Sequence, residues 1–247
     1  MKHEYFSKYL DAIYPDSVFV EIGGERSEGS TNFLWSLAKE FKTRLYTVDV
    51  VDKTYFGHLQ EHWKIFYNKV KDASWPTDVK SLDDLPENLQ KECIVNFNWA
   101  DEEANVKQYT EKYNSDSLIA VQESGSAWSK SYGKNIGKPI SLLYLDNFDY
   151  IWEGKQTSEA EQIRKFYLQE FDIELNNELC QLEHFAQLLS LEKNLAPGCL
   201  IGLDDTYLYN DCWIGKSGPG VVYLKTLGYE TILHDQKSSF VLMKKPK

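Results

Sequence analysis

Four aspartates, Asp146, Asp149, Asp204 and Asp205, lie at or just beyond the ends of apolar runs. Leu142-Leu143-Tyr144-Leu145 precedes the first pair and Cys199-Leu200-Ile201-Gly202-Leu203 the second, so both pairs close candidate strands. If the strands are neighbours, three or four carboxylates converge in one crevice and repel unless a cation sits among them. That is the physical case for a divalent metal, with magnesium and its preference for oxygen ligands as the best match. The plainer alternative is that Asp204 accepts loop N–H bonds, Asp205 faces water and Asp146 serves only the substrate. His184, on a helix between the two runs, titrates near neutrality when unperturbed and is the candidate general base. Against that role, Leu182 and Phe185 flank it, and it would then only decorate a helix face.

The elements that must position these groups begin with the stretch 18–49. Val18 to Ile22 is an apolar, β-branched run that ends in Gly23-Gly24, so a buried strand entering a turn is expected. Phe33, Leu34, Leu37, Ala38 and Phe41 recur at helical spacing, and Leu45-Tyr46-Thr47-Val48 forms a second strand ending in Asp49. This is a βαβ unit, whose strand end and helix N-terminus face one ligand crevice. The turn lacks both a G-x-G-x-x-G fingerprint and a Gly-Lys-Ser/Thr triplet. Glu21, Glu25 and Glu28 make it a poor seat for a diphosphate unless Arg26 or a metal offsets them, and a better one for a ligand with a cationic part and ribose hydroxyls.

The run Glu21-Ile22-Gly23-Gly24-Glu25-Arg26-Ser27-Glu28-Gly29-Ser30-Thr31 resembles the first motif of the class I S-adenosylmethionine-dependent methyltransferases. Asp49 matches that family's second acid, 142–146 its fourth strand and 197–205 its fifth; the resemblance spans roughly residues 15–245. It implies a three-layer, doubly wound α/β fold with a mostly parallel sheet and a C-terminal antiparallel hairpin. It also implies S-adenosylmethionine as cofactor, with Glu21, Gly23 and Gly29 at the methionine end, Asp49 on the ribose, and Arg26 and Ser30 as further cofactor-binding residues. Ser126 and Trp128, after the third strand, would contact adenine or ribose, the alternative being a helix cap and a packed tryptophan. Some small-molecule O-methyltransferases of this kind use Mg2+, which carries over as Asp146, Asp204 and Asp205 for ligands and Asp149 as ligand or base. The departure is the acidic Gly24-Glu25. A non-catalytic binding or scaffold protein on the same fold is the alternative.

Along the rest of the chain, helices are expected over 3–14, 54–70, 101–113, 179–195 and 220–227. Strands are expected over 117–122, 139–145, 199–203, 230–234 and 239–243. Residues 54–92 and 151–178 are candidate insertions, the latter a lid, and 206–220 a mobile aromatic and glycine-rich loop. At 247 residues the chain suits one domain. A formal charge of -11 argues against a nucleic-acid partner and leaves a small-molecule substrate. No apolar stretch suggests a membrane span or a secretory leader, and the four scattered cysteines suit a reducing, cytoplasmic setting. Sixteen tyrosines and seven tryptophans suit a pocket lining, the core, or contacts with a partner such as a second copy in a homo-oligomer.

Overall fold

A computed structural model describes residues 2–23, 30–48, 117–121, 125–152, 157–171 and 174–247. In chain order the elements are α1 (Glu4–Tyr9), β1 (Val18–Ile22), α2 (Ser30–Glu40), β2 (Leu45–Val48), β3 (Leu118–Val121), α3 (Gly125–Asn135) and β4 (Ile140–Leu145). They continue with α4 (Thr157–Phe171), α5 (Asn177–Leu191), β5 (Leu195–Leu203), β6 (Thr206–Tyr209), β7 (Cys212–Gly215), α6 (Gly218–Thr226), β8 (Glu230–Asp235) and β9 (Phe240–Lys244). A short 3-10 turn, Glu192–Asn194, links α5 to β5. The expected helices at 54–70 and 101–113 lie outside the described residues.

Seven strands form one sheet in the order β3-β2-β1-β4-β5-β9-β8. β1 through β5 run parallel, while β9 is antiparallel to both β5 and β8. This is the three-layer, doubly wound, mostly parallel fold with a terminal antiparallel hairpin that the resemblance implied. The chain enters the sheet in the middle, winds outward to β3 and then crosses back to β4. The crevice between the carboxyl ends of β1 and β4 is therefore the topological switch point, where open α/β sheets bind ligands.

Both faces of the sheet are covered, which explains why β4 reads as an unbroken apolar run. Ile140, Leu143 and Leu145 join the core under α3, α5 and α6, while Leu142 and Tyr144 join the core under α1 and α2. Helix α5 lies deepest, buried at every position from Leu179 to Leu191 and capped by the Asn176 side chain, which accepts from Leu179 N at 2.9 Å. Five of its buried side chains are polar, and in a water-free layer each needs an internal partner.

Several boundaries differ from expectation. α1 stops at Tyr9 because Leu10 leaves helical geometry, and the chain then runs to the sheet, where Tyr14 N donates to Ser141 Oγ at 2.8 Å. Pro197-Gly198 does not terminate the helix but lies inside β5, where a break in register between Ile140 and Leu142 of β4 lets the strand bulge. The expected mobile loop at 206–220 is instead the β6–β7 hairpin followed by α6, turned by Asn210 and Asp211, both at positive φ. Positive φ at both turn positions matches the right-handed twist of the paired strands. Part of the 151–178 stretch is the helix α4. Among the described residues no helix is long and apolar enough to cross a membrane, and Cys180, Cys199 and Cys212 are free thiols.

Candidate functional site

Glu21, the fourth residue of β1, pairs in register with Thr47 of β2 and Tyr144 of β4, so the three share one sheet face beneath α2. Its carboxylate is fully buried, and Thr31 Oγ1 donates to Oε2 at 2.6 Å. Oε1 and Ser30 Oγ at the start of α2 are both buried and lack a well-aligned hydrogen bond, although the Ser30 and Thr47 hydroxyls lie near enough to the carboxylate to favour its charged form. Burial pushes the Glu21 pKa up to about 7 against the opposing pull of the nearby Thr31, Ser30 and Thr47 hydroxyls. Gly23, at φ +87, turns the chain out of β1 where a β-carbon would collide with the backbone of Asp146 and Asn147. Asp146 N donates to Ile22 O at 2.8 Å, closing this junction between β1 and β4.

The raised carboxyl has a measurable consequence. The folded protein keeps the Glu21 proton to about pH 7, whereas the unfolded chain releases it near 4.5. Stability from this group is complete below pH 4.5 and is lost as the pH climbs to 7. Glu21→Gln, a mimic of the protonated form, should therefore gain on wild type between pH 5 and pH 8. The gain should approach about 3 kcal/mol, at ~1.4 kcal/mol per pH unit separating the two states. Urea unfolding of both proteins at the two pH values measures it, and parallel changes would contradict the assignment.

The second half of the site lies at the ends of β4 and β5, and the structure does bring Asp146, Asp204 and Asp205 together. The cation their charges require is supplied by the chain itself. Lys216, 4 % exposed, directs Nζ to Asp146 Oδ1 at 2.9 Å and Asp205 Oδ2 at 3.2 Å. Lys2 Nζ lies 2.5 Å from both oxygens of Asp204. Tyr144 Oη sits 3.0 Å from Asp146 Oδ2 and 3.1 Å from Asp204 Oδ2, so its single proton serves one carboxylate at a time. Burial and the adjacent Asp146 push the Asp204 carboxyl up to about 6. Burial on its own lowers the Lys216 pKa, but Asp146, Asp205 and Asp204 outweigh it and hold the ammonium well above the ordinary lysine value.

This arrangement corrects the metal expectation. Asp146, Asp204 and Asp205 are neighbours as foreseen, yet among the described residues no cluster of His, Cys, Asp and Glu is disposed to hold a metal. Ammonium groups already lie against the carboxylates, and an ammonium has no lone pair to offer a metal. The residues present do not fit Mg2+.

His184 is also reassigned. It is fully buried, with Nδ1 2.7 Å from Ser217 Oγ and Nε2 2.7 Å from the carbonyl oxygen of Asn147. A carbonyl only accepts, so Nε2 carries the proton and donates, and Nδ1 accepts from the serine. Burial and the charge of Lys216 push its pKa down to about 3. With both nitrogens engaged, the ring ties the β4 end to the Lys216 loop and is not placed to take a substrate proton.

The other polar side chains of α5 act in the same way. Gln181 Nε2 donates to Gly215 O at 2.9 Å, and Gln187 Nε2 to Asn147 Oδ1 at 3.1 Å and Glu183 Oε1 at 2.9 Å. Glu183 Oε1 accepts from Ser126 N at 2.9 Å, placing a carboxylate at the N-terminus of α3. Ser126 is thus a buried helix-start residue. Trp128 packs in the core with Tyr132 at 5.1 Å and Tyr46 at 6.1 Å between ring centroids, the packed-tryptophan alternative to a cofactor contact. The sequence reading missed Gln181, Glu183 and Gln187, whose signal was polar residues set into an otherwise apolar helix. It also gave Lys2 no role. Asp149 is exposed, its Oδ2 accepting from Tyr167 Oη at 2.9 Å. Arg26, Gly29 and Asp49 lie outside the described residues.

No protein-family model and no curated protein matches the chain. Several solved structures with a faint likeness are methyltransferases by description. The apo structure of a TDP-rhamnose 3'-O-methyltransferase of calicheamicin biosynthesis shares 12% identity at a TM-score of 0.45, covering 98% of this chain and 76% of that one. The glycopeptide N-methyltransferase MtfA shares 8% identity at a TM-score of 0.39, covering 98% and 93%. The rRNA methyltransferase aviRa from Streptomyces viridochromogenes shares 8% at 0.36, covering 98% and 82%. Likeness at this level carries no argument about activity; the strand order and the site geometry stand on their own.

Proposed function

We propose that this protein is an S-adenosylmethionine-dependent methyltransferase acting on a hydroxyl of a small molecule. The observation that carries the reading is the buried Glu21 carboxylate near the carboxyl end of β1, beside the switch point, with Oε1 lacking a well-aligned donor. A buried acceptor without a donor is costly, and an ammonium-bearing ligand entering at the switch point would supply one. The cofactor supplies a methyl group already activated on a sulfonium. Glu21 and Ser30 receive its amino end, Gly23 lets the backbone pass close by, and Arg26, Gly29 and Asp49 complete the pocket, Asp49 on the ribose.

The acceptor side belongs to the β4 end. Asp146 is held on both oxygens, by Lys216 and Tyr144, and orients the acceptor hydroxyl. Exposed Asp149, steadied by Tyr167, takes the proton as the methyl group moves from sulfur to oxygen. The acidic mouth and the charge of -11 favour a small, non-polyanionic acceptor.

Calorimetry with S-adenosylmethionine, S-adenosylhomocysteine and a nicotinamide dinucleotide tests the reading. The two adenosyl compounds should bind and the dinucleotide should not. Asp49→Asn should weaken adenosyl binding about tenfold to a hundredfold, the loss of one charge-assisted hydrogen bond. Binding should also weaken below pH 7, because Glu21 must release its proton to meet an ammonium. Absence of adenosyl binding would end the enzymatic account.

A further inference from the structure

The metal that the resemblance implies does not fit, and the reason it does not fit points to a device of this chain's own. Lys216 Nζ has three donors, and three acceptors surround it: Asp146 Oδ1 at 2.9 Å, Asp205 Oδ2 at 3.2 Å and the Asp146 carbonyl oxygen at 3.4 Å. Its backbone is pinned as well. Lys216 N donates to Asp205 O at 2.9 Å, and the neighbouring Ser217 N donates to Thr206 Oγ1 at 3.0 Å. Gly215, at φ +96, lies so close to the Asp205 carbonyl that a β-carbon there would overlap it, so the hairpin end fits tightly under the lysine.

We propose that Lys216 is the resident cation of this site. It is a positioning residue whose ammonium gathers Asp146 and Asp205 in the place a divalent ion would otherwise take, so the site meets its acceptor without a metal. A divalent ion entering here would face a fixed positive charge a few ångströms away and only part of the oxygen shell that magnesium or manganese requires. The remaining carboxylate, Asp204, already has Lys2 as its cation and accepts from Asp205 N at 2.9 Å. The assignment also narrows the acceptor, a step that rests on the proposed methyl transfer. A metal rewards two adjacent oxygens that chelate it, whereas a saturated ammonium does not, so a single hydroxyl suffices.

Manganese titration of the cofactor-free protein, followed by the EPR signal of the free aqua ion, tests the cation assignment. It is separable from the methyltransferase reading because neither cofactor nor acceptor is present. Wild type should leave the signal of free Mn2+ undiminished. Lys216→Ala should remove one equivalent of Mn2+ per chain from the free-ion signal, restored by excess Mg2+, as two carboxylates lose their competing ammonium. Mn2+ should raise the melting temperature of Lys216→Ala and leave that of wild type unchanged. Adding Asp205→Asn to Lys216→Ala should remove the new site. One Mn2+ bound per wild-type chain and lost in Asp205→Asn would overturn the proposal, as would a folded Lys216→Ala protein that binds no ion. If Lys216→Ala does not fold, the wild-type titration alone decides the question.

Discussion

Lys216→Met lowers the free energy of unfolding by about 4 kcal/mol in metal-free buffer at neutral pH, the expected range when one partner of a buried ion pair is removed. Methionine keeps most of the side chain's length and apolar stem, so little of the loss comes from a cavity. What remains is a pair of carboxylates, Asp146 and Asp205, whose shared ammonium is gone. The penalty should shrink as the pH falls, because Asp204, whose carboxyl burial and Asp146 push up to about 6, takes up a proton and removes one charge from the cluster. Urea denaturation of both proteins across acidic and neutral pH provides the measurement. A pH-independent loss would mean that Lys216 contributes packing rather than charge.

Gly23→Val costs a similar amount, about 4 kcal/mol, and abolishes adenosyl binding. Two effects add: a β-branched residue held at φ +87, worth ~1–3 kcal/mol of backbone strain, and overpacking worth a further ~1–3 kcal/mol. The added carbons would press on the backbone of Asp146 and Asn147, where β1 and β4 part. Relief requires the two strand ends to separate, which displaces the ends that carry Glu21 and Asp146. Thermal unfolding with calorimetry on the same sample distinguishes this from a local effect. A variant with native stability and unaltered adenosyl affinity would refute the close junction.

Much of the scaffold was legible because its signals are local. The alternation of glycine, apolar run and amphipathic segment over 18–48 names β1, α2 and β2 without reference to anything distant. Asp146 and Asp204 could be placed at strand ends for the same reason. The β6–β7 hairpin is less legible, because its turn is Asn210-Asp211 without the glycine that marks most two-residue hairpins, amid glycines and aromatics that suit a loop equally well. His184 differs from its sequence expectation for another reason. Its intrinsic pKa suggests a base, but burial and a lysine more than thirty residues away leave it neutral and fully bonded.

By itself, then, the order of residues determined the fold class, the crevice and the identity of the carboxylates at its edge, since periodicity and turn chemistry are properties of neighbouring residues. Tertiary structure alone decided what neutralises those carboxylates. Charges separated by 70 and 202 positions, Lys216 from Asp146 and Lys2 from Asp204, meet only after the sheet is wound and α1 and the hairpin have closed over its end. The sequence could state that a cation was required; three-dimensional packing determined that it would be a lysine.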